Sequence, residues 1–243
     1  MGFLRGHYVK LKLLISIICC IFMVFFTNMV RMQTISEYSP SELFEKMEGM
    51  GIPKDLRESF RKCIDFHTYA APGMLIGVFM VDCALKILNR KPEDKIFVTC
   101  ETHKCLPDPP QVIMHATTGN HRLRVLSIGK FAMTFTPFSV KEFAEGIRIY
   151  VDREKLKRYP ALASWYDNSP AFKPATMKRQ LAEEILGAAC DMFSHERIRM
   201  KVTYKKKWNS VTCPLCGEQV PEDMMEGNHC AGCGSMAYYE KVT

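Results

Sequence analysis

The sequence predicts an α+β fold, a mixed helix and sheet core domain followed by a small zinc-finger module. Three observations carry this. Helical and strand patterns follow one another irregularly, without the regular strand–helix–strand alternation of a doubly wound sheet. The segment Met74 to Asn89 is apolar nearly all round, so it belongs at the centre of a core. Four cysteines near the C-terminus stand as two Cys-x-x-Cys pairs, the spacing of a metal knuckle. The domain division that follows is 1–31 as a membrane anchor or mis-assigned start, 40–205 as the core and 206–243 as the finger.

The elements follow in order. Ser41 is placed as the N-cap of a helix over Glu42 to Met50, which Gly51-Ile52-Pro53 breaks. Lys54 to Phe66 carries Leu56, Phe60 and Ile64 at helical spacing. Pro72-Gly73 opens the buried helix, which is too short before Asp82 to span a membrane. Lys95 to Cys100 reads as a short strand, and Asp108-Pro109-Pro110 starts a helix at Gln111. Strands follow at Leu123 to Leu126, Phe131 to Phe135 and Ile147 to Val151. Pro160 to Pro174 is expected as loop, and Ala175 to Phe193 as one long helix. Ile198, Met200, Val202 and Tyr204 alternate with polar residues as a half-buried strand.

Length and composition exclude several classes. The chain has 243 residues, 47% apolar and 24% charged, enough to bury a core. Fourteen Gly and 13 Pro rule out collagen-like and low-complexity chains, and there is no fixed-period repeat. The net charge is +7, but Arg5, Lys10, Lys12 and Arg31 lie in an acid-free N-terminal segment, leaving +3 for the rest. Much of that remainder sits between Arg197 and Lys207, read as a solvated strand face and linker, or with Trp208 as a surface for an anionic partner. The near-neutral body argues against nucleic acid as a partner.

Leu13 to Val30 is an uncharged run of 18 residues with basic flanks, the lower limit for a membrane helix. No small-x-small site follows it, which disfavours a cleaved signal. Two readings remain: an anchor with the N-terminus inside, or a true start at Met29 or Met32. A membrane contact would run only through 13–30. Cys63, Cys83, Cys100, Cys105 and Cys190 are scattered and odd in number, and read as lone thiols. With the metal-type cluster they point to a reducing, cytoplasmic location.

Cys213-x-x-Cys216-Gly217 and Cys230-x-x-Cys233-Gly234 are the strongest motif. Two residues between thiols let both sulfurs face one tetrahedral metal, and the following Gly accommodates the turn. Zinc is the expected cofactor. A closed four-thiolate site leaves no open position, so the metal is structural. His229, beside Cys230, reads as a neighbour rather than a fifth ligand.

A second constellation surrounds the buried helix. His67 precedes its start, Glu101, His103 and Cys105 follow the first strand, and Lys130 follows Gly129. Ionisable groups at such ends are where sites form. His67 and Cys105 can be a metal pair; a satisfied core histidine and a buried thiol are the plainer readings.

The order of motifs here resembles the FmdE domain, named for a component of formylmethanofuran dehydrogenase. The matching residues are His67, Pro72 and Gly73; Glu101, Thr102, Cys105, Asp108 and Gln111; Thr117, Gly119 and Asn120; and Gly129, Lys130, Ala132, Thr134 and Phe135. They span roughly 55–150, and the cysteine module is similar to the treble-clef-like finger many members carry. The resemblance implies an α+β core, a homodimer, a core metal site, and a link to molybdenum- or tungsten-dependent one-carbon metabolism, with methanogenesis behind the name. It also implies a His-x-His-x-Cys-Pro metal motif with a later cysteine. This chain departs from it: Tyr69 stands for the second His, Ala71 for the Cys, and Ala116 for a further Cys. Only His67 and Cys105 keep metal-capable side chains, so the core site reads as degenerate.

Three functions follow. The first is a zinc-containing accessory protein that binds metal, a pterin-type cofactor or a partner enzyme, without chemistry of its own. The second is a metal-dependent enzyme whose catalytic candidates are His67, Cys105, Glu101 and Lys130. The third is a binding module in which the finger and basic tract contact protein or nucleic acid.

Overall fold

Apolar segments with no polar stripe have to be enclosed, and the architecture is arranged around one of them. The computed structural model describes residues 38–201, 208–240 and 242. The run at 13–30 and residues 202–207 of the basic tract lie outside the described residues. Among the described residues no helix is long and apolar enough to cross a membrane. The chain divides into two units, Met1–Lys201 and Val202–Thr243.

The first unit opens with α1 (Pro40–Gly49), α2 (Lys54–His67) and α3 (Pro72–Leu88). Then come β1 (Ile96–Cys100), α4 (Asp108–Met114), β2 (Leu123–Val125), β3 (Ala132–Pro137) and β4 (Phe143–Val151). The short helices α5 (Arg153–Leu156) and α6 (Pro160–Tyr166), the long α7 (Pro174–Ala188) and β5 (Phe193–Lys201) complete it. The sheet has the order β2-β1-β3-β4-β5. β1 and β2 are parallel, and every other pairing is antiparallel. Helices and sheet are therefore mixed as α+β.

Period-2 alternation sorts the sheet into two faces. Ile96, Val98 and Cys100, with Met133, Phe135, Ile147 and Ile149, form the apolar face. Across it lies α3, which also meets α2, α4 and α7. Every residue of α3 from Gly73 to Val81 is buried. The opposite face carries Thr99, Thr134, Arg148 and Glu196 in one cross-strand row.

Four details differ from the sequence expectation. The N-cap of α1 is Ser39, not Ser41: its hydroxyl accepts from Glu42 N and the Glu42 carboxylate accepts from Ser39 N, a capping box around Pro40. Residues 160–166 are helical rather than loop. Pro160 suits a first turn, and Leu162 N donates to the Glu184 carboxylate of α7 at 2.8 Å, a cap supplied from elsewhere in the chain. The helix expected to reach Phe193 ends at Ala188. Ala189 takes a positive φ of 42°, a 3₁₀ turn spans Ala189–Met192, and Phe193 is already paired with Val151. Finally, Cys83 of α3 and Cys190 of that turn form a disulfide, with Cα atoms 6.0 Å apart. They are not lone thiols.

Two glycines of the helical layer show how closely α3 is packed. A Cβ on Gly77 would sit 2.9 Å from Pro109 Cγ and 3.3 Å from Leu106 Cδ2, so α4 and the segment before it lie directly against the helix. Gly187, in α7, has only Met50 Cε at 3.7 Å. Alanine normally gains about 1 kcal/mol over glycine within a helix. Gly187→Ala is expected to show part of that gain. Gly77→Ala is expected to lose about 1 kcal/mol net, because overpacking costs roughly 1–3 kcal/mol. Urea denaturation of both variants checks the pair, and equal stabilisation would contradict the packing argument.

Candidate functional site

The second unit is small. β6 (Ser210–Thr212) and β7 (Gln219–Pro221) form one hairpin, and β8 (Met225–Glu226) pairs with β9 (His229–Cys230). Each hairpin brings one cysteine pair into place. The sulfurs of Cys213, Cys216, Cys230 and Cys233 all lie within 4.8 Å of one another. Cys230 N donates to Cys213 Sγ at 3.3 Å, which links the two knuckles. Within the first knuckle Gly217 N donates to Cys213 O at 2.8 Å, and Gly217 takes a φ of 77° that favours glycine. Gly234 closes the second knuckle for a different reason. Its φ of −120° is ordinary, but a Cβ there would lie 2.4 Å from His229 Nε2 and 2.6 Å from Glu226 Oε2. Glu226 in turn accepts from Ser235 N at 3.0 Å, and His229 lies outside the four-cysteine cluster. Four thiols with no carboxylate among them form a soft donor set suited to a thiophilic metal in a closed site.

In the first unit His67 and Cys105 lie near the same two residues, Asp108 and Tyr69, without bonding to each other. His67, at the end of α2, turns inward. Its Nδ1 meets the Asp108 carboxylate at 2.5 Å, while its Nε2 is buried without a hydrogen-bond partner. The Tyr69 ring packs 4.8 Å away, centroid to centroid. A carboxylate holding one ring nitrogen and leaving the other free is the arrangement that supports a metal-binding imidazole. His67 makes no hydrogen bond to Cys105, because one nitrogen is taken by Asp108 and the other is unpartnered. Among the described residues, Asp82, Cys83 and Cys190 also come together, but the disulfide occupies both of those sulfurs. Neither this trio nor the cysteine cluster contains His67 or Cys105.

Cys105, Lys130 and Gly73 lie along a cavity of about 670 Å³. A Cβ on Gly73 would come within 3.3 Å of Cys105 Sγ and 3.1 Å of Phe131 Cζ, so glycine is what lets this loop approach the start of α3. Burial pushes the Cys105 thiol up. His103 is exposed. Glu101 is buried, and its carboxylate accepts from Arg148 Nε at 2.6 Å and Nη2 at 2.9 Å, a bidentate pair. Arg148 Nη1 also donates to Glu196 at 3.0 Å. These bonds from Arg148 hold the Glu101 carboxyl below the usual range, against its burial. Glu101 is thereby bound to a partner and is not poised to take a proton.

Sequence reasoning missed Arg148, Phe131, Trp165, Tyr166 and Lys104 around this cavity. A signal existed for one of them: a lone arginine inside the apolar strand Ile147 to Val151 requires a carboxylate nearby. The aromatic wall had no local signal, since Phe131 meets Trp165 at 6.4 Å and Tyr166 at 6.2 Å across more than 30 residues.

A family model described as "FmdE, Molybdenum formylmethanofuran dehydrogenase operon" matches residues 66–200. A crystal structure of an FmdE-like protein of the tungsten formylmethanofuran dehydrogenase type, from Syntrophus aciditrophicus, is 33% identical, with a TM-score of 0.64. That likeness covers 76% of this chain and 95% of that one. A protein of Archaeoglobus fulgidus described as a probable S-adenosyl-L-methionine-binding protein is 24% identical over 188 residues. The match covers 73% of this chain and 48% of that protein, so the chain spans about half the length of the curated relative it matches.

The Glu101–Arg148 pair gives a pH prediction. A carboxyl with a lowered folded-state pKa contributes stability above its unfolded pKa and loses it as pH falls through the folded value. Wild-type stability should therefore fall from the ordinary carboxylate range downward. Arg148→Met should cost about 2 kcal/mol at neutral pH, leaving Glu101 buried and unpaired. The deficit should shrink as Glu101 protonates. Urea midpoints measured across acid to neutral pH check this, and a pH-independent deficit would show that Arg148 acts by packing alone.

Proposed function

Because the chain belongs to the FmdE family, we propose that it is a metal-binding accessory protein of the FmdE type, serving formylmethanofuran dehydrogenase-like chemistry. Its four cysteines hold one structural zinc. It acts by binding, in one-carbon metabolism that runs on molybdenum or tungsten enzymes, and does no chemistry of its own. The observation that carries the zinc reading is the convergence of Cys213, Cys216, Cys230 and Cys233 within 4.8 Å. Their thiol-only chemistry and two-residue spacing favour zinc. Such a site supplies about 10–16 kcal/mol of folding free energy at neutral pH.

Two observations favour binding over catalysis. Tyr69 and Ala71 stand where the family's ligand pattern has a histidine and a cysteine, and the family implication of a core metal is weakened accordingly. Cys105 has no imidazole hydrogen-bonded to it, so the thiol–histidine pairing of an activated nucleophile is absent. The enzyme reading keeps one favourable feature, the buried Nε2 of His67, which a metal would satisfy. A homodimer and a partner enzyme are part of this proposal and rest on the family likeness. A cytoplasmic location is part of the proposal and rests on the seven unpaired cysteines among the described residues, with the Cys83–Cys190 disulfide counting against it.

Elemental analysis of the purified full-length chain is expected to find one zinc per chain, lost in Cys213→Ser and Cys230→Ser and kept in His67→Ala. A second metal lost in His67→Ala or Cys105→Ala, or turnover of a formyl substrate by the isolated chain, would overturn the accessory reading. Absence of zinc from a folded wild-type chain would overturn the structural-zinc reading.

A further inference from the structure

The cavity beside α3 has a lining whose chemistry is more specific than its position. Its charged side chains are Lys104, Lys130 and Arg148, and no carboxylate lines it. Arg148 is already held by Glu101 and Glu196. Lys104 and Lys130 are different. Both are exposed, and neither ammonium group makes a hydrogen bond or a close ion pair among the described residues, although the Lys130 charge lies near enough to Glu101 to help hold that carboxyl low.

The cavity also meets the start of α3 at Gly73. That helix is 17 residues long, has no acidic residue in its first turn, and its N-cap Ala71 provides no side-chain acceptor. No acidic group compensates the positive end of the helix, although the Cys105 sulfur accepts from the Met74 backbone N–H there. A second wall is apolar: the Phe131 ring stands nearly perpendicular to those of Trp165 and Tyr166, at 89° and 87°. Cations on one side and aromatic rings on the other select a ligand with both characters.

We propose that this cavity binds a small organic anion with a planar aromatic body, its carboxylate or phosphate group met by Lys104 and Lys130 and its ring system in contact with the aromatic cluster of Phe131, Trp165 and Tyr166. Three features make the match. The volume of about 670 Å³ suits a small organic molecule rather than a single ion. Two exposed ammonium groups can each pair with anionic oxygens without breaking a hydrogen bond or a close ion pair. The bidentate Glu101–Arg148 pair keeps the nearest buried carboxylate occupied, so it does not repel the anion. The inference rests on this lining alone, and stands apart from what the four cysteines hold.

Trp165 reports on the cavity, and the only other tryptophan is Trp208. The test is fluorescence titration of the full-length Trp208→Phe chain with 2-naphthyl phosphate, 2-naphthoate and uncharged 2-naphthol. At least one anion is expected to quench Trp165 saturably, at one site, and about tenfold more tightly than the neutral compound. Whichever anion binds more tightly identifies the acidic group. Lys104→Gln and Lys130→Gln are each expected to weaken that binding about threefold, and the double variant about tenfold. Both side chains are exposed, and an unchanged urea midpoint shows that each variant is folded. Equal binding of 2-naphthol and the anions overturns the proposal. So does a folded double variant within about twofold of wild type, or no saturable quenching by either anion.

Discussion

A helix with no polar face must be covered on every side, and α3 imposes that requirement on the first unit. Four layers of contact meet it: the apolar face of the sheet, α2, α4 and α7. Burying such side chains is worth about 1.5–3 kcal/mol each, so this one helix accounts for a large part of the driving force. The requirement also shapes the surroundings of the cavity. The loop from Glu101 to Pro107 passes the N-terminal half of α3 where Gly73 leaves room for Cys105 and Gly77 for Leu106, with Pro109 of α4 also against Gly77. The disulfide from Cys83 to Cys190 joins the same helix to the turn before β5. Cavity, cysteine and helix start thus come together as a consequence of covering α3.

On the other face of the sheet the controlling interaction is electrostatic. Glu101 follows the end of β1, and Arg148 lies in β4 in the cross-strand row that also holds Thr99 and Thr134. A carboxylate this buried needs its two N–H donors, since an unpaired one would be costly. The pair's net stabilisation is modest, because both ions lose water. Its larger consequence is local: with Arg148 held, Lys104 and Lys130 are the cavity's charges that make no close ion pair. The same pairing separates Glu101 from the catalytic candidates. A carboxyl held below its usual range by a guanidinium is a poor proton acceptor, whatever its position in the family motif.

The second unit obeys a different rule. Its strands are two or three residues long, and Leu215, Met224, Met236, Tyr238 and Tyr239 remain exposed. Little apolar surface is removed from water, so its order depends on the cysteine cluster rather than a core. Gly217 and Gly234 illustrate two separate reasons for a glycine after a knuckle. One is a left-handed backbone, and the other is the close approach of His229 and Glu226.

Periodicity, caps and cysteine spacing act over a few residues, and what depends on them was legible. The sequence by itself determined the α+β class, the buried helix, the half-buried strand before residue 201 and the four-cysteine knuckles. It also carried the family, through motif order from His67 to Phe135. What lay beyond it needed partners distant in the chain. Helix α6 exists where loop was expected because Glu184 caps it, and α7 stops early because Phe193 pairs with Val151. Cys83 and Cys190 are 107 residues apart, and neither has a local pattern announcing the other. Only the tertiary structure decided that His67 bonds to Asp108 rather than Cys105, that Arg148 claims Glu101, and that three aromatic rings and two exposed lysines share one cavity. The physical reason is common to all of these. A side chain's charge state and partners are set by what packing brings within a few ångströms, and packing follows from burying α3, not from neighbours in sequence.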